Sequence, residues 1–238
     1  MSPAQWYWSH DIPPDQVDSL ATPGFQLIRL AHYGSRFAAL LHQRPGPPRT
    51  AVLGLTADDL ATPGGPVAVT VDTTGPAPRF SLVLDRAAGT TVRAGLDARG
   101  VHALLDGTRR ILDLDTYLLA GKRRYAVILQ ESTALEASPA VEASPAGSLL
   151  FTDVTRRQLD AALREHRAAP VVVRPAGDGL FAAVAEPAGA RPGRWSWHTD
   201  LDGDGVARKL HRAGAYPADL DAVRTERGAR FTVVVRRS

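Results

Sequence analysis

Five short stretches of the chain repeat one order of polar and apolar positions. Each opens with a basic residue, or leucine in the fourth stretch, and continues with an aromatic residue, a small residue and aliphatic or β-branched residues. This composition favours a half-buried strand. The aromatic residues fall at positions 37, 80, 125, 181 and 231, and such recurrence along a whole chain indicates a tandem-repeat architecture. The stretches cover residues 36–40, 79–83, 124–128, 180–184 and 230–234.

The segments between these stretches complete a unit of strand, short helix, strand, turn and strand. Proline, threonine or aspartate begins each helix, and Thr-Pro-Gly at residues 22–24 and 62–64 ends the first two. Because one such unit cannot bury both faces of its strands, its neighbours have to cover them. The predicted helices span about residues 15–21, 56–60, 97–105, 155–167 and 204–213, and the units span about 1–44, 45–86, 87–132, 149–187 and 190–238.

We therefore expect an α+β fold in a single domain covering residues 1–238. Its five tandem strand-helix-strand-strand units should form one curved, mostly antiparallel sheet, shaped as a saddle or half-barrel, with the short helices packed on one side. Residues 133–148 interrupt the pattern, since they are rich in alanine, proline and serine and contain Glu-Ala-Ser-Pro-Ala twice. Such a stretch is typical of a solvated loop or linker.

The fifth unit carries the clearest motifs. It has a Trp-Ser-Trp strand at 195–197, a polar-capped helix, a strand that starts near Tyr216 and a closing Arg230-Phe231 pair. In these motifs the chain resembles the bacterial tandem-repeat family whose members also form the N-terminal domain of fungal polyglycine hydrolases. The resemblance implies a saddle or half-barrel sheet and no catalytic residue, because the proteases of that family carry their serine in a separate β-lactamase-like domain. This chain contains neither Ser-x-x-Lys nor Gly-x-Ser-x-Gly.

The composition excludes several classes of function. The chain has no cysteine, so disulfides, thiolate metal sites and a cysteine nucleophile are excluded. The net charge of +3 is typical of a solvated surface, and we do not expect a nucleic-acid partner. No glycine-rich phosphate loop is present, so we expect no cofactor. Since there is no signal sequence and no apolar run of membrane-spanning length, we expect a cytoplasmic protein with no membrane partner.

Three alternating acids near the C-terminus resemble the first half of a calcium loop. Asp200, Asp202 and Asp204 are followed by Gly205 at the sixth position, as in such a loop. The second half does not match, because the twelfth position holds His211 instead of a glutamate. The alternative is that these acids cap a helix and compensate its dipole, and we expect no metal site.

Two histidines follow the two aromatic strands at the ends of the chain. His10 precedes Asp11, and His198 lies two residues before Asp200. A His and Asp pair beside aromatic residues is suited to acid-base catalysis in an apolar cleft. The alternative is structural, since a histidine at a strand end can simply bond to a capping carboxylate.

Aromatic and basic residues at strand ends and hairpin tips form a third set of candidates. They either line a ligand-binding rim or serve as core anchors and solvated turns. Our first hypothesis is a non-catalytic repeat protein that binds a protein partner or a small ligand on its curved sheet or hairpin rim. The alternative is a small accessory enzyme of cyclase, isomerase or hydrolase type that uses a His/Asp pair in an aromatic-lined cleft. The candidate ligand-binding residues are Trp8, Tyr33, Arg36, Trp197, Tyr216 and Arg230.

Overall fold

The structure, a computed structural model, is mostly antiparallel β with a few short helices. It describes residues 3, 5–20, 22–61, 64–105, 108–131, 148–187, 195–211 and 214–237. The strands of this part of the chain form five three-stranded antiparallel sheets. The α+β, mostly antiparallel prediction is therefore confirmed. The predicted loop at 133–148 lies outside the described residues, apart from Ser148.

Each sheet consists of three strands that follow one another in the chain, and the third strand lies between the other two. We call them the first, second and third strand of a unit. The first strands are β1 (Trp6–Ile12), β4 (Thr50–Leu55), β7 (Thr90–Leu96), β10 (Leu149–Thr155) and β13 (Trp195–Leu201). The second strands are β2 (Phe25–Tyr33), β5 (Gly65–Asp72), β8 (Arg109–Leu119), β11 (Ala168–Gly177) and β14 (Ala215–Thr225). The third strands are β3 (Arg36–Gln43), β6 (Arg79–Asp85), β9 (Lys122–Glu131), β12 (Leu180–Pro187) and β15 (Gly228–Arg237).

A short helical segment joins the first and second strands of every unit. In the last three units it is an α-helix with a polar N-cap, and Thr155 and Gln158 form a complete capping box. In the first two units the predicted helices are 3-10 turns, a form that is common in short connectors. The turns are Pro14–Gln16, Asp18–Leu20 and Asp58–Leu60, and the helices are α1 (Ala98–His102), α2 (Arg156–Glu165) and α3 (Gly203–Leu210).

The five sheets surround a common axis. Each second strand contacts the second strands of its two neighbours, in the cyclic order β2, β5, β8, β11, β14 and back to β2. The last unit therefore packs directly on the first. Arg29 Nε donates to the carbonyl oxygen of Leu220 at 3.2 Å, and His42 Nε2 donates to that of Pro217 at 2.7 Å. The result is a closed ring of five sheets instead of the expected saddle or half-barrel.

Side chains, rather than strand ladders, join the inner edges of neighbouring sheets. The backbone N–H of Val69 donates to Asp113 Oδ2 at 2.7 Å, and that of His32 donates to Thr70 Oγ1 at 2.9 Å. Donors of an edge strand need partners when water is excluded, and here the next unit supplies them. This is why the described strands form five separate sheets and not the single curved sheet that we expected.

The hydrophobic core is divided among the five boundaries between units. Within the described residues, each cluster of buried apolar side chains draws on two adjacent units. A single unit would expose these faces to water, so the boundaries stabilise the ring. Representative pairs within the clusters are Leu40 with Phe231, Leu41 with Val83, Leu82 with Ile128, Val127 with Val184, and Phe181 with Val234.

A left-handed residue interrupts every first strand near its end. At this point the register against the third strand shifts in all five sheets. Aspartate and glycine are the residue types that adopt this conformation most readily. The five residues, with φ between 56° and 78°, are Asp11, Gly54, Gly95, Asp153 and Asp200.

No helix in the described part of the chain is long and apolar enough to cross a bilayer.

Candidate ligand-binding pocket on the ring axis

A layer of buried ion pairs fills the middle of the ring. Arg174 Nη2 lies 2.8 Å from Asp113 Oδ1, and its Nη1 lies 2.5 Å from Asp219 Oδ2. Arg29 Nη1 forms a second ion pair with Asp113. We call Arg29, Asp113, Arg174 and Asp219 the ionic layer. Its two arginines balance its two carboxylates, and Arg174 is fully buried, with 0% of its surface exposed.

Two further carboxylates lie next to the ionic layer along the same strands. Asp115 follows Asp113 by two residues in β8, and Asp221 follows Asp219 by two residues in β14, so each faces the same side of its strand. Both are buried, with 7% and 5% of their surface exposed. Because the layer already balances its own charge, Asp115 and Asp221 are surplus negative charge at the axis.

The two surplus carboxylates differ in their hydrogen bonds. Asp115 Oδ2 accepts from the backbone N–H of Val71 at 2.8 Å, and Oδ1 accepts from that of Thr116 at 2.7 Å. Asp221, by contrast, has no hydrogen-bond partner within the described part of the chain. Its oxygens are not among the enclosed unpaired atoms of the described residues, so they open to the cavity and can accept hydrogen bonds from a ligand.

Burial raises the pKa of both surplus carboxyls. For Asp221 the pKa rises to about 7, because desolvation of the carboxylate outweighs the nearby charge of Arg174, and the charge of Asp115 adds to the increase. Burial also raises the pKa of Asp115, although Arg29 and Arg174 oppose the change. Asp221 therefore changes its charge close to neutral pH.

A pocket of about 250 Å³ opens above these carboxylates at the hairpin end of the second strands. Asp115 and Asp221 form its floor, and we call it the axial pocket. All five units contribute to its lining, which places the pocket on the axis of the ring. At one equivalent place, opposite the aromatic residue of each third strand, the second strands contribute His32, Val71, Thr116, Pro175 and Ala222.

The wall of the axial pocket carries a third acid and a neutral histidine. His32 Nε2 lies 3.6 Å from Asp72 Oδ2. Burial lowers the pKa of His32, and the charge of Asp72 opposes this only in part. His32 is therefore mostly uncharged at pH 7, and Asp72 Oδ1 accepts from the backbone N–H of Thr74 at 2.8 Å. Exposed Arg224 is the cation at the rim.

The axial pocket therefore has acids on its floor and its wall and one arginine at its rim. Within the described residues, no group of three or more His, Asp or Glu side chains is arranged to hold a metal ion. The geometry instead offers separate acceptors across a small cavity. Such an arrangement is suited to the N–H donors of an organic cation.

The predicted His10 and Asp11 pair lies on the boundary between the last and the first unit. His10 Nδ1 is 2.9 Å from Asp11 Oδ2, and both side chains are exposed. The ring of His10 packs against Trp8 at 5.2 Å and Phe231 at 5.4 Å. Tyr33 donates to Asp11 Oδ1 at 2.9 Å, so the carboxylate is bonded on both sides.

Of the predicted His198 and Asp200, the second lies on the boundary between the fourth and fifth units, in a cavity that Pro175 and Phe181 also line. Their neighbour Trp197 packs on Phe181 at 5.2 Å, and Asp200 Oδ1 lies 3.4 Å from Arg230 Nε. His198 Nε2 is 3.3 Å from Ser196 Oγ. The two predicted His and Asp pairs thus lie apart from each other, and neither lines the axial pocket.

One of the six predicted ligand-binding residues, Tyr33, lines the axial pocket. Its hydroxyl is already used, since it accepts from the backbone N–H of Asp11 at 2.7 Å. Trp8 packs on Phe231 at 5.6 Å, and Trp197 Nε1 donates to Asp160 at 2.8 Å. The remaining three lie outside it. Arg36 is exposed near Asp11, and Arg230 pairs with Asp200. Tyr216 packs edge-on against His42 and lines a separate pocket.

The acids of the calcium-like motif have separate structural roles. Asp202 caps α3 by accepting from the backbone N–H of Gly205 at 2.7 Å. Asp204 lies in the first turn of that helix, where a negative charge is favourable. Asp200 is the left-handed residue of β13. These positions match the helix-capping alternative.

The acids and arginines at the axis were not among the predicted site residues, although the sequence carries a signal for them. Charged residues alternate with apolar residues in strands that are otherwise hydrophobic, as in Leu-Asp-Leu-Asp at 112–115 and Asp-Leu-Asp at 219–221. Alternation places the acids on one face of each strand. That this face points to the axis follows only from the arrangement of all five units.

No model of a known protein family and no curated protein matches the chain. The functional argument therefore depends on the geometry and charge of the axial pocket.

Proposed function

We propose that this protein is a non-catalytic ring of five structural repeats that binds a small organic cation in its axial pocket. The repeat interpretation is supported by the common strand order of the five sheets and by the left-handed residue at the same place in each first strand. The ligand class is supported by one observation above all. Asp115 and Asp221 are buried carboxylates that the arginines of the ionic layer do not balance.

The pocket is suited to a ligand with an ammonium or guanidinium group. An N–H donor of such a group would bond to Asp221, which has no other partner among the described residues. A hydrogen bond between charged groups is about twice as strong as a neutral one. The low dielectric at the floor strengthens it further. A second cationic group at the other end of the ligand would face Asp72 on the wall.

Binding of a cation should depend on the charge of Asp221. Since burial raises the pKa of this carboxyl to about 7, it is largely protonated in mildly acidic solution. A cation favours the ionised form and competes with the proton. Affinity should therefore rise as the pH increases through about 7.

Calorimetric titration with putrescine and agmatine tests the proposal, with 1,4-butanediol as the uncharged counterpart. We expect the two cations to bind and the diol not to bind. Asp221→Asn should weaken cation binding by about tenfold or more, because it removes a charge-assisted hydrogen bond. The matched control is Asp178→Asn, at an exposed turn between β11 and β12, which should bind as the native protein does. Equal affinity of native protein and Asp221→Asn for putrescine would contradict the proposal.

Acid-base catalysis is a second candidate function, and it is favoured by the pKa of Asp221. A group that titrates near pH 7 in a pocket is suited to proton transfer. The alternative that uses His10 with Asp11, or His198 with Asp200, is less supported because these pairs lie apart from the axial pocket. NMR spectra of a bound cation after long incubation separate the two functions. Recovery of unchanged cation supports a binding protein, and new product signals support an enzyme.

A further inference from the structure

A second pocket, of about 260 Å³, lies on the other side of the ionic layer. Ile28 and Ala218 line it, and each directly precedes a member of the layer, Arg29 or Asp219. Asp115 and Asp221, at the floor of the axial pocket, follow the layer along β8 and β14. The two pockets are therefore separated by the buried ion pairs, and they do not share a lining residue.

Arginines dominate the charge of this second pocket. Arg44 and Arg236 line it, and within the described part of the chain neither has a carboxylate partner. Arg49 lies close by but is paired with Asp85 at 3.1 Å. Burial, together with the charges of Arg49 and Arg236, lowers the pKa of Arg44, so the local field is positive. We call this cavity the arginine pocket.

Two buried nitrogen atoms at the arginine pocket have no hydrogen-bond partner within the described residues. They are Arg236 Nε and His42 Nδ1. His42 Nε2 donates to the Pro217 carbonyl, so Nδ1 is the unprotonated nitrogen. Burial lowers the pKa of His42 to about 4, and this histidine is therefore neutral at pH 7. Enclosed polar atoms without a partner are uncommon in proteins, and both of these belong to residues that line the cavity.

The other side of the arginine pocket is apolar. Ile28, Val171 and Ala218 line it, and each is the extra residue of a strand bulge, where the register against the third strand shifts. A bulge re-aims a side chain away from the ladder. The cavity therefore has an apolar side, formed by these three side chains, and a cationic side, formed by the two arginines.

We propose that the arginine pocket binds a small organic anion, with a phosphate or carboxylate group against Arg44 and Arg236 and an apolar body against Ile28, Val171 and Ala218. The planar guanidinium group forms paired hydrogen bonds with both kinds of oxyanion. An anion also relieves the repulsion between the arginines. The proposal is independent of the axial pocket, because no residue is shared between the two sites.

Calorimetric titration with phenyl phosphate, benzoate, inorganic phosphate and benzyl alcohol, at one pH and ionic strength, tests this proposal. Phenyl phosphate should bind more tightly than inorganic phosphate, because only the former has an apolar body, and benzyl alcohol should not bind. The ratio for phenyl phosphate and benzoate shows which oxyanion is preferred. Arg44→Gln, at an exposed position, should weaken phenyl phosphate binding by about tenfold or more.

The matched control is Arg237→Gln, at the exposed residue next to Arg236 in β15, which should leave the affinity unchanged.

Ala218→Leu should weaken binding by filling the apolar side. If this variant unfolds, thermal melts of native protein and Arg44→Gln with phenyl phosphate replace it, and only the native protein should be stabilised. Asp221→Asn should bind phenyl phosphate normally, so failure at one pocket is distinguishable from failure at the other. Equal affinity of Arg44→Gln and Arg237→Gln overturns the proposal.

Discussion

Asp221 shows how position alone changes the chemistry of a residue. The neighbouring Asp219 bonds directly to Arg174, whereas the carboxyl of Asp221, two residues later on the same face of β14, has no hydrogen-bond partner among the described residues. Both are buried aspartates of one strand. The difference is that the guanidinium group of Arg174 bonds to Asp219 and Asp113 but not to Asp221. The acids without an arginine partner, Asp115 and Asp221, are the ones that face the axial pocket.

Asp221→Asn should change how stability depends on pH. The carboxyl has an ordinary pKa of 3.8 and a folded pKa of about 7, so the folded protein keeps a proton that the unfolded chain releases. This contribution is complete below the ordinary pKa and is lost as the pH rises through about 7. Urea unfolding between about pH 5 and pH 8 should show native stability falling relative to the variant, by about 1–3 kcal/mol.

Asp178→Asn serves as the control for this measurement, since an exposed turn residue should leave the native pH dependence in place. Parallel pH profiles of native protein and Asp221→Asn would show that burial does not perturb this carboxyl.

At the scale of the strand, the left-handed residue in each first strand is set by backbone geometry. Gly95 has φ of 78° and its N–H donates to the hydroxyl of Tyr117 at 2.8 Å. In the first unit, Asp11 and Tyr33 form the equivalent bond at 2.7 Å. A tyrosine of the second strand thus holds the bulge of the first strand in both units. Tyr33, a predicted ligand-binding residue, and Tyr117 therefore share this structural role.

Gly95→Val should destabilise the protein, whereas Gly95→Asp should do so much less. A Cβ atom at this position meets no heavy atom within 4 Å, so the effect comes from the backbone and not from a clash. A β-branched residue in the left-handed region costs about 1–3 kcal/mol, and aspartate tolerates this region better. Aspartate also occupies the same place in three other units. The free energy of unfolding from urea titration measures both changes, and equal losses for Val and Asp would contradict this explanation.

Local patterns in the sequence were sufficient to predict the strands and most helices. The stretch 36–40 is predicted as a strand and lies within β3, and the helix predicted over 155–167 corresponds to α2. Alternation and capping residues act over a few neighbours, which is why they are visible in one sequence. The axial pocket was not predictable in this way. It depends on pairs such as Arg174 and Asp113, which are 61 residues apart.

For the molecule as a whole, the ionic layer links units that are distant in the chain. Arg29 belongs to the first unit, Asp113 to the third, Arg174 to the fourth and Asp219 to the fifth. The layer therefore fixes how the second strands are arranged around the axis. Buried ion pairs are a weak source of net stability, but removing one partner leaves an uncompensated charge.

Arg174→Met should destabilise the whole ring by about 3–5 kcal/mol, because Asp113 and Asp219 each lose a partner in a site that excludes water. The urea midpoint measures this loss. Arg157→Met, at an exposed position of α2, is the control and should stay within about 0.5 kcal/mol of the native protein. A cost for Arg174→Met no larger than that of the control would show that the layer does not hold the ring together.

The bond between Arg29 and Leu220 spans 191 residues of sequence. During translation, the side chain of Arg29 emerges from the ribosome long before the backbone that accepts its hydrogen bond. Contacts of such separation slow folding, because a long loop has to close before they form. The boundary between the fifth and first units can therefore be buried only after the fifth unit has been synthesised. Until then, the apolar faces of the first and fourth units that pack on the fifth are exposed to chaperones.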